Sequence, residues 1–142
     1  CDEIIASNTI SSEFGSIGVM MSFPDYAKYY EKDGIKVHTI YSNLSSYKNA
    51  PFEAAKEGKY DAIKTEELDP LARGFQEAVK SRRGSKLNLE MEGIIAGRMF
   101  YANDAKKNGL IDSVGTREFA LGRVRELRRD AYVNEYINSK SA

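Results

Sequence analysis

The stretch from Ile17 to Ser42 constrains the fold more than any other part of the chain. "IGVMM", residues 17 to 21, is apolar on both faces, the pattern of a strand covered from two sides in a parallel sheet. Ser22 is placed to cap a helix opened by Pro24 and Asp25, and "PDYAKYYEKDG" ends at Gly34, a suitable C′ glycine. "IKVHTIYS", residues 35 to 42, alternates Ile35, Val37, Thr39 and Tyr41 against Lys36, His38 and Ile40, and its β-branched content favours a strand. Strand, helix and strand with short joints make a βαβ unit. An α/β fold is therefore expected.

The remainder alternates in the same manner. Leu68, Leu71, Ala72, Phe75, Ala78 and Val79 recur at helical spacing, and Pro70 belongs in the first turn of that helix with Asp69 as its N-cap. The preceding "FEAAKEGKYDAIKTEEL" then forms one or two separate, shorter helices. "SRRGSKLNLE" reads as a basic connection. "ANDAKKNG" is a short helix closed by Gly109, "LIDSVG" is a brief strand and turn, and Thr116 caps a last helix. The 142 residues suffice for one core, so 1–142 is read as a single domain with residues 117–142 as its terminal helix.

Composition removes several kinds of chemistry. The 21 basic and 21 acidic residues leave no cationic excess to drive nucleic-acid binding. No apolar run has the length needed to cross a bilayer. Cys1 has no second cysteine to pair with, and His38 is the only histidine, so zinc clusters and histidine-based triads lack their parts; neither a metal nor a cofactor is expected. Chemistry would have to use Ser, Lys, Tyr or carboxylates.

Two places could carry it. Gly15 and Gly18 bracket Ser16 in "FGSIGVM", which sets a hydroxyl at a crowded strand entrance; on residue types alone, the plainer reading is a turn before a core strand. "IYSNLSSYKNAP" crowds Ser42, Ser45, Ser46 and Tyr47 around Lys48. A lysine amine becomes a base at neutral pH only when burial and hydroxyl neighbours favour its neutral form, and such an amine can activate a serine without histidine. The plainer reading of Lys48 is a solubilising charge in a polar loop. The tyrosines at 26, 29 and 30 read as packing or a subunit contact, and His38 as structural.

Taken together, "GSIGV", "GIKVHTIYS" and the pair "GRMF…DAKKNGLID" resemble the signal peptide peptidase family of serine proteases, in particular the branch with phage head (capsid maturation) proteases. The resemblance runs from Cys1 to about Leu127. It implies a fold like Clp protease and crotonase, built of stacked βαβ-type units, that is incomplete at its N-terminus here. It also implies a serine and lysine dyad that cleaves peptide bonds. Ser16 stands where members have a serine that holds the lysine amine, and Lys48 lies in the segment that carries the base. The nucleophilic serine of such proteins belongs ahead of the "CDEI" segment, so this chain is expected to be inactive alone. Counting without gaps from Ser42 puts Ser46 rather than Lys48 on the base position; a two-residue shift of the loop delivers Lys48, which Tyr47 and Asn49 flank with polar groups.

The implied partners are protein or peptide substrates, with small apolar residues near the cleavage point, and further copies of the chain arranged in a ring. A membrane would enter only through an N-terminal anchor, as in signal-peptide clearance, whereas capsid maturation needs none and would place the protein in the cytoplasm. A ring-forming assembly module that has lost the dyad is the non-enzymatic alternative. An acyl-CoA enzyme of crotonase type would need a thioester site, for which the sequence carries no signal.

Overall fold

The computed structural model describes residues 1–141. In chain order the elements are β1 (Ile5–Ala6), β2 (Glu13–Gly15), α1 (Ala27–Lys32), α2 (Ala50–Lys56), a π-helical turn (Ile63–Leu68), α3 (Asp69–Arg83), a 3-10 turn (Gly84–Lys86), β3 (Met99–Tyr101), α4 (Ala102–Lys107), β4 (Ser113–Val114) and α5 (Arg117–Ser141). They are distributed over two compact units, one made of Cys1–Ser16 with the chain from Lys80 onward, the other of Ile17–Val79.

In the first unit β1 pairs in parallel with β4, Ile5 opposite Ser113, and β2 pairs antiparallel with β3, Phe14 opposite Phe100. Ala6, Leu87, Ile94, Phe100, Ala102, Ala105, Leu110 and Ile111 form its buried apolar centre, which also holds Asn108. Asn108 donates from Nδ2 to the Asp104 carbonyl (2.9 Å) and accepts from Asn88 Nδ2 (3.0 Å), so its buried amide is satisfied. Asp112 joins three segments. Its carboxylate accepts from the Ile4 N–H (2.8 Å), from both terminal nitrogens of Arg83 (2.8 and 3.1 Å) and from Lys86 Nζ (2.7 Å). Arg83 Nε donates to the Gly109 carbonyl as well (2.6 Å). Arg123 on α5 pairs with Glu3.

Three helices end in one way. After α1, α2 and α4 a glycine (Gly34, Gly58, Gly109) takes positive φ. The following N–H reaches back to the carbonyl of Tyr30, Ala54 or Ala105 at 2.8, 3.0 and 2.8 Å, the double closure of a Schellman motif. Gly34 and Gly109 thus hold the positions expected of them. Thr116 likewise caps α5, its Oγ1 accepting the Phe119 N–H at 3.2 Å.

Three expectations change. Residues 17–23 and 35–42 carry no strand, so the βαβ unit around α1 is not formed as a ladder among the described residues. The physical reason is pairing: a strand persists only where a neighbour meets its N–H and C=O groups, and no backbone partner is present for Lys36 to Tyr41 among the described residues. Val37 and Ile40, expected in a sheet, are 68% and 91% exposed. Ser22 does not cap α1; the Asp25 carboxylate accepts the Ala27 N–H instead (2.9 Å). Asp69 does not break the chain as an N-cap, because the π-helical turn runs into α3 with Asp69 itself in right-handed helical geometry. A wider turn is one way to accommodate Pro70, which lacks an N–H and crowds the carbonyl four residues back.

The second unit buries Ile17, Ala55 and Ile63, and Phe23 packs on Phe52 with ring centroids 4.8 Å apart.

Candidate active site

Ser16 follows β2 directly. Its N–H donates to the Arg98 carbonyl (3.1 Å), continuing the β2–β3 pairing one residue past the strand. Gly15 makes this approach possible: at φ +135°, a Cβ there would lie 2.1 Å from the Arg98 oxygen. Ser16 itself has φ +53°, an uncommon conformation for a residue with a side chain. It is exposed, and its hydroxyl has no hydrogen-bond partner among the described residues.

Lys48 lies in a folded loop rather than a loose one. The Ser45 N–H donates to the Ser42 carbonyl (2.9 Å), the Lys48 N–H to the Ser45 carbonyl (3.0 Å) and the Ala50 N–H to the Tyr47 carbonyl (3.2 Å). These successive turns lead into α2 through Asn49, which has φ +63° and whose carbonyl accepts the Phe52 and Glu53 N–H groups. Asparagine is among the few side-chain-bearing residues that tolerate this geometry. Among the described residues, Ser16 and Asn49 are the non-glycine positions with positive φ.

The Lys48 side chain is exposed, and its amine has neither a hydrogen bond nor an ion pair among the described residues. The hydroxyls of Ser42, Ser45, Ser46 and Tyr47 are not bonded to it; Ser42 Oγ accepts the Leu44 N–H instead (3.2 Å). Ser16 belongs to the first compact unit and Lys48 to the second. Beside the lysine loop a hollow of about 390 Å³ opens, with Met21, Phe52 and Ile63 as apolar walls and Tyr47, Asn49 and Glu66 at its polar side.

The sequence profile of peptidase family S49 matches residues 1–130. The chain belongs to peptidase family S49. Similar proteins include a candidate protease of Methanocaldococcus jannaschii, 31% identical over 126 residues, which cover 89% of this chain and 39% of that protein. Protease 4 of Haemophilus influenzae is 28% identical over 139 residues, 95% of this chain and 22% of the relative. A candidate signal peptide peptidase of Enterococcus faecium is 30% identical over 139 residues, 96% and 39% of the two chains. The S49 chain therefore spans between 22% and 39% of the length of these relatives.

Sequence reasoning did not find Glu53. Its Oε1 accepts from the Tyr41 hydroxyl (2.9 Å), Asn49 Nδ2 (3.1 Å) and Lys56 Nζ (3.0 Å), and these donors, with Lys56 foremost, hold its carboxyl below the usual glutamate range. Lys56, three residues on, was a legible helical neighbour. Tyr41, twelve residues back, left no periodic signal.

Proposed function

We propose that the full-length protein is a serine endopeptidase in which Lys48 is the general base, Ser16 orients its amine, and the nucleophile is a serine that the resemblance sets outside these 142 residues. The neutral amine takes the proton of the attacking hydroxyl as the Oγ–carbonyl bond forms, then returns it to the leaving amine as the peptide C–N bond breaks. Water hydrolyses the acyl-enzyme by the same proton route in reverse order. A Clp protease and crotonase-like fold is part of this reading.

The observation that carries it is that backbone strain falls on one residue the chemistry requires, Ser16, and on the neighbour of the other, Asn49 beside Lys48. Among the described residues, the non-glycine positive-φ positions are Ser16 and the residue immediately after Lys48. Such conformations are costly and concentrate where a side chain has to be aimed. With Lys48 exposed, the water exclusion that keeps an amine neutral has to come from the substrate, the nucleophile-bearing segment or a neighbouring copy. Extended substrates are recognised through backbone hydrogen bonds, and residues 36–41 offer unpaired backbone groups among the described residues. The exposed Tyr26, Tyr29 and Tyr30 on and beside α1 suit a contact between copies in a ring, a use also open to α5.

The test uses full-length protein acting on an unfolded protein substrate. Lys48→Met is expected to lower turnover by about 10²- to 10⁴-fold, the usual contribution of a general base, while Ser46→Ala stays near wild type. Equal turnover of wild type and Lys48→Met would refute the role of Lys48. Loss in Ser46→Ala with Lys48→Met intact would move the base position to the unshifted register. The non-catalytic assembly module would be left standing if purified wild type cleaved nothing and mass spectrometry found no serine adduct after an active-site phosphonate label.

A further inference from the structure

The loop that bears Lys48 is fastened at both ends to one carboxylate. Tyr41 precedes the loop, Asn49 follows Lys48 directly, and both donate to Glu53 Oε1, at 2.9 and 3.1 Å. Lys56 holds that carboxylate from the next turn of α2, with Nζ 3.0 and 2.9 Å from its two oxygens, and its ammonium lies 5.5 Å from the centre of the Phe52 ring. Between the anchors and one residue past them, the backbone folds into turns closed by the Ser45, Lys48 and Ala50 N–H groups, which restrict the chain on either side of Lys48.

We propose that Glu53 is a positioning residue for Lys48, holding Asn49 in its left-handed conformation and Tyr41 at the loop entrance so that the lysine leaves the backbone in one direction. The inference rests on the reading of Lys48 as general base. The physical argument concerns Asn49. At φ +63° it turns the chain from the Lys48 loop into α2. A relaxation of Asn49 to negative φ would rotate the peptide it shares with Lys48, and the Cα–Cβ bond of Lys48 would turn with it. The side-chain bond to Glu53 opposes that relaxation. The Lys48 side chain has no hydrogen bond or ion pair among the described residues, so its aim depends on its backbone. A base displaced by about 1 Å loses on the order of 10²-fold in rate.

Kinetics of the full-length protein on a fluorogenic peptide separate positioning from mere scaffolding. Glu53→Ala is expected to lower kcat by roughly 10- to 100-fold with KM within about twofold, because the defect lies in proton transfer rather than in peptide binding. Glu53→Gln keeps an acceptor oxygen for Tyr41 and Asn49 and loses only the ion pair to Lys56. It should recover most of the loss, to within about threefold of wild type. Tyr41→Phe removes one anchor without touching α2 and should lower kcat by a few-fold, which keeps the test open if the alanine variant fails to fold. Wild-type kcat in both Glu53→Ala and Tyr41→Phe, beside an inactive Lys48→Met, would overturn the positioning role and leave the base reading intact. So would a Gln variant as impaired as the Ala variant. An active Lys48→Met would instead remove the base reading and this inference with it.

Discussion

Replacing Asp112 by alanine should destabilise the protein by about 3 kcal/mol. The figure lies between two limits, about 1 kcal/mol or less for an exposed ion pair and roughly 3–5 kcal/mol for breaking a buried one. The Arg83 and Asp112 side chains are only 9% and 15% exposed, which moves the pair towards the buried limit, whereas Lys86, at 60%, adds little. The alanine also strands the Ile4 N–H and leaves the guanidinium with the Gly109 carbonyl as its remaining partner among these bonds. With a urea m-value of about 2 kcal/mol/M, the unfolding midpoint should fall by roughly 1.5 M. In a cycle with Arg83→Ala and the double variant, the coupling should be about 2 kcal/mol.

The same pair sets a pH dependence. The Arg83 guanidinium, the Lys86 ammonium and the Ile4 N–H hold the Asp112 carboxyl below the usual range, Arg83 being the largest cause. A group with a lower pKa folded than unfolded stabilises the fold above its unfolded value, near 3.8, and loses that contribution as the pH falls below it. The stability difference between wild type and Asp112→Ala should therefore be flat between about pH 5 and 8 and shrink below about pH 4. A midpoint change under about 0.3 M, or a difference that does not shrink in acid, would refute the claim that this carboxylate is a charged clasp.

Two further outcomes follow from close packing. Gly109→Ala puts a Cβ 1.8 Å from the Lys86 carbonyl oxygen at φ +78°, whereas Gly34→Ala, at φ +71°, meets nothing within 4 Å. Urea unfolding should give roughly 3 kcal/mol or more for the first and about 1 kcal/mol for the second; equal losses would mean that the carbonyl moves aside freely. Asn108→Ala removes a buried side chain that bonds Asp104 and Asn88, and should cost about 1–3 kcal/mol by the same measurement, with less than about 0.5 kcal/mol counting against its role.

Local chemistry made much of this protein legible without coordinates. Gly34 and Gly109 end their helices, Thr116 caps α5, and the helix around Pro70 forms, because each signal is a contact within a few residues, whatever the rest of the chain does. Gly15 before Ser16 was likewise readable as a tight approach, though the Arg98 carbonyl it meets was not. Asn49 is a residue type that tolerates the left-handed region, but no periodic signal in the loop places that turn at this position.

Tertiary structure decided what depends on distant partners. The period-2 pattern of residues 35–42 stated a preference for strand, yet a ladder needs a second chain segment at hydrogen-bonding distance, and none of the described residues supplies it. Arg83 and Asp112 lie 29 residues apart, and Tyr41 and Glu53 12 apart, with no periodicity to connect them. Caps and turns are determined by sequence because both partners sit on the same few bonds; clasps and sheets are determined by folding because only the closed chain brings their partners together.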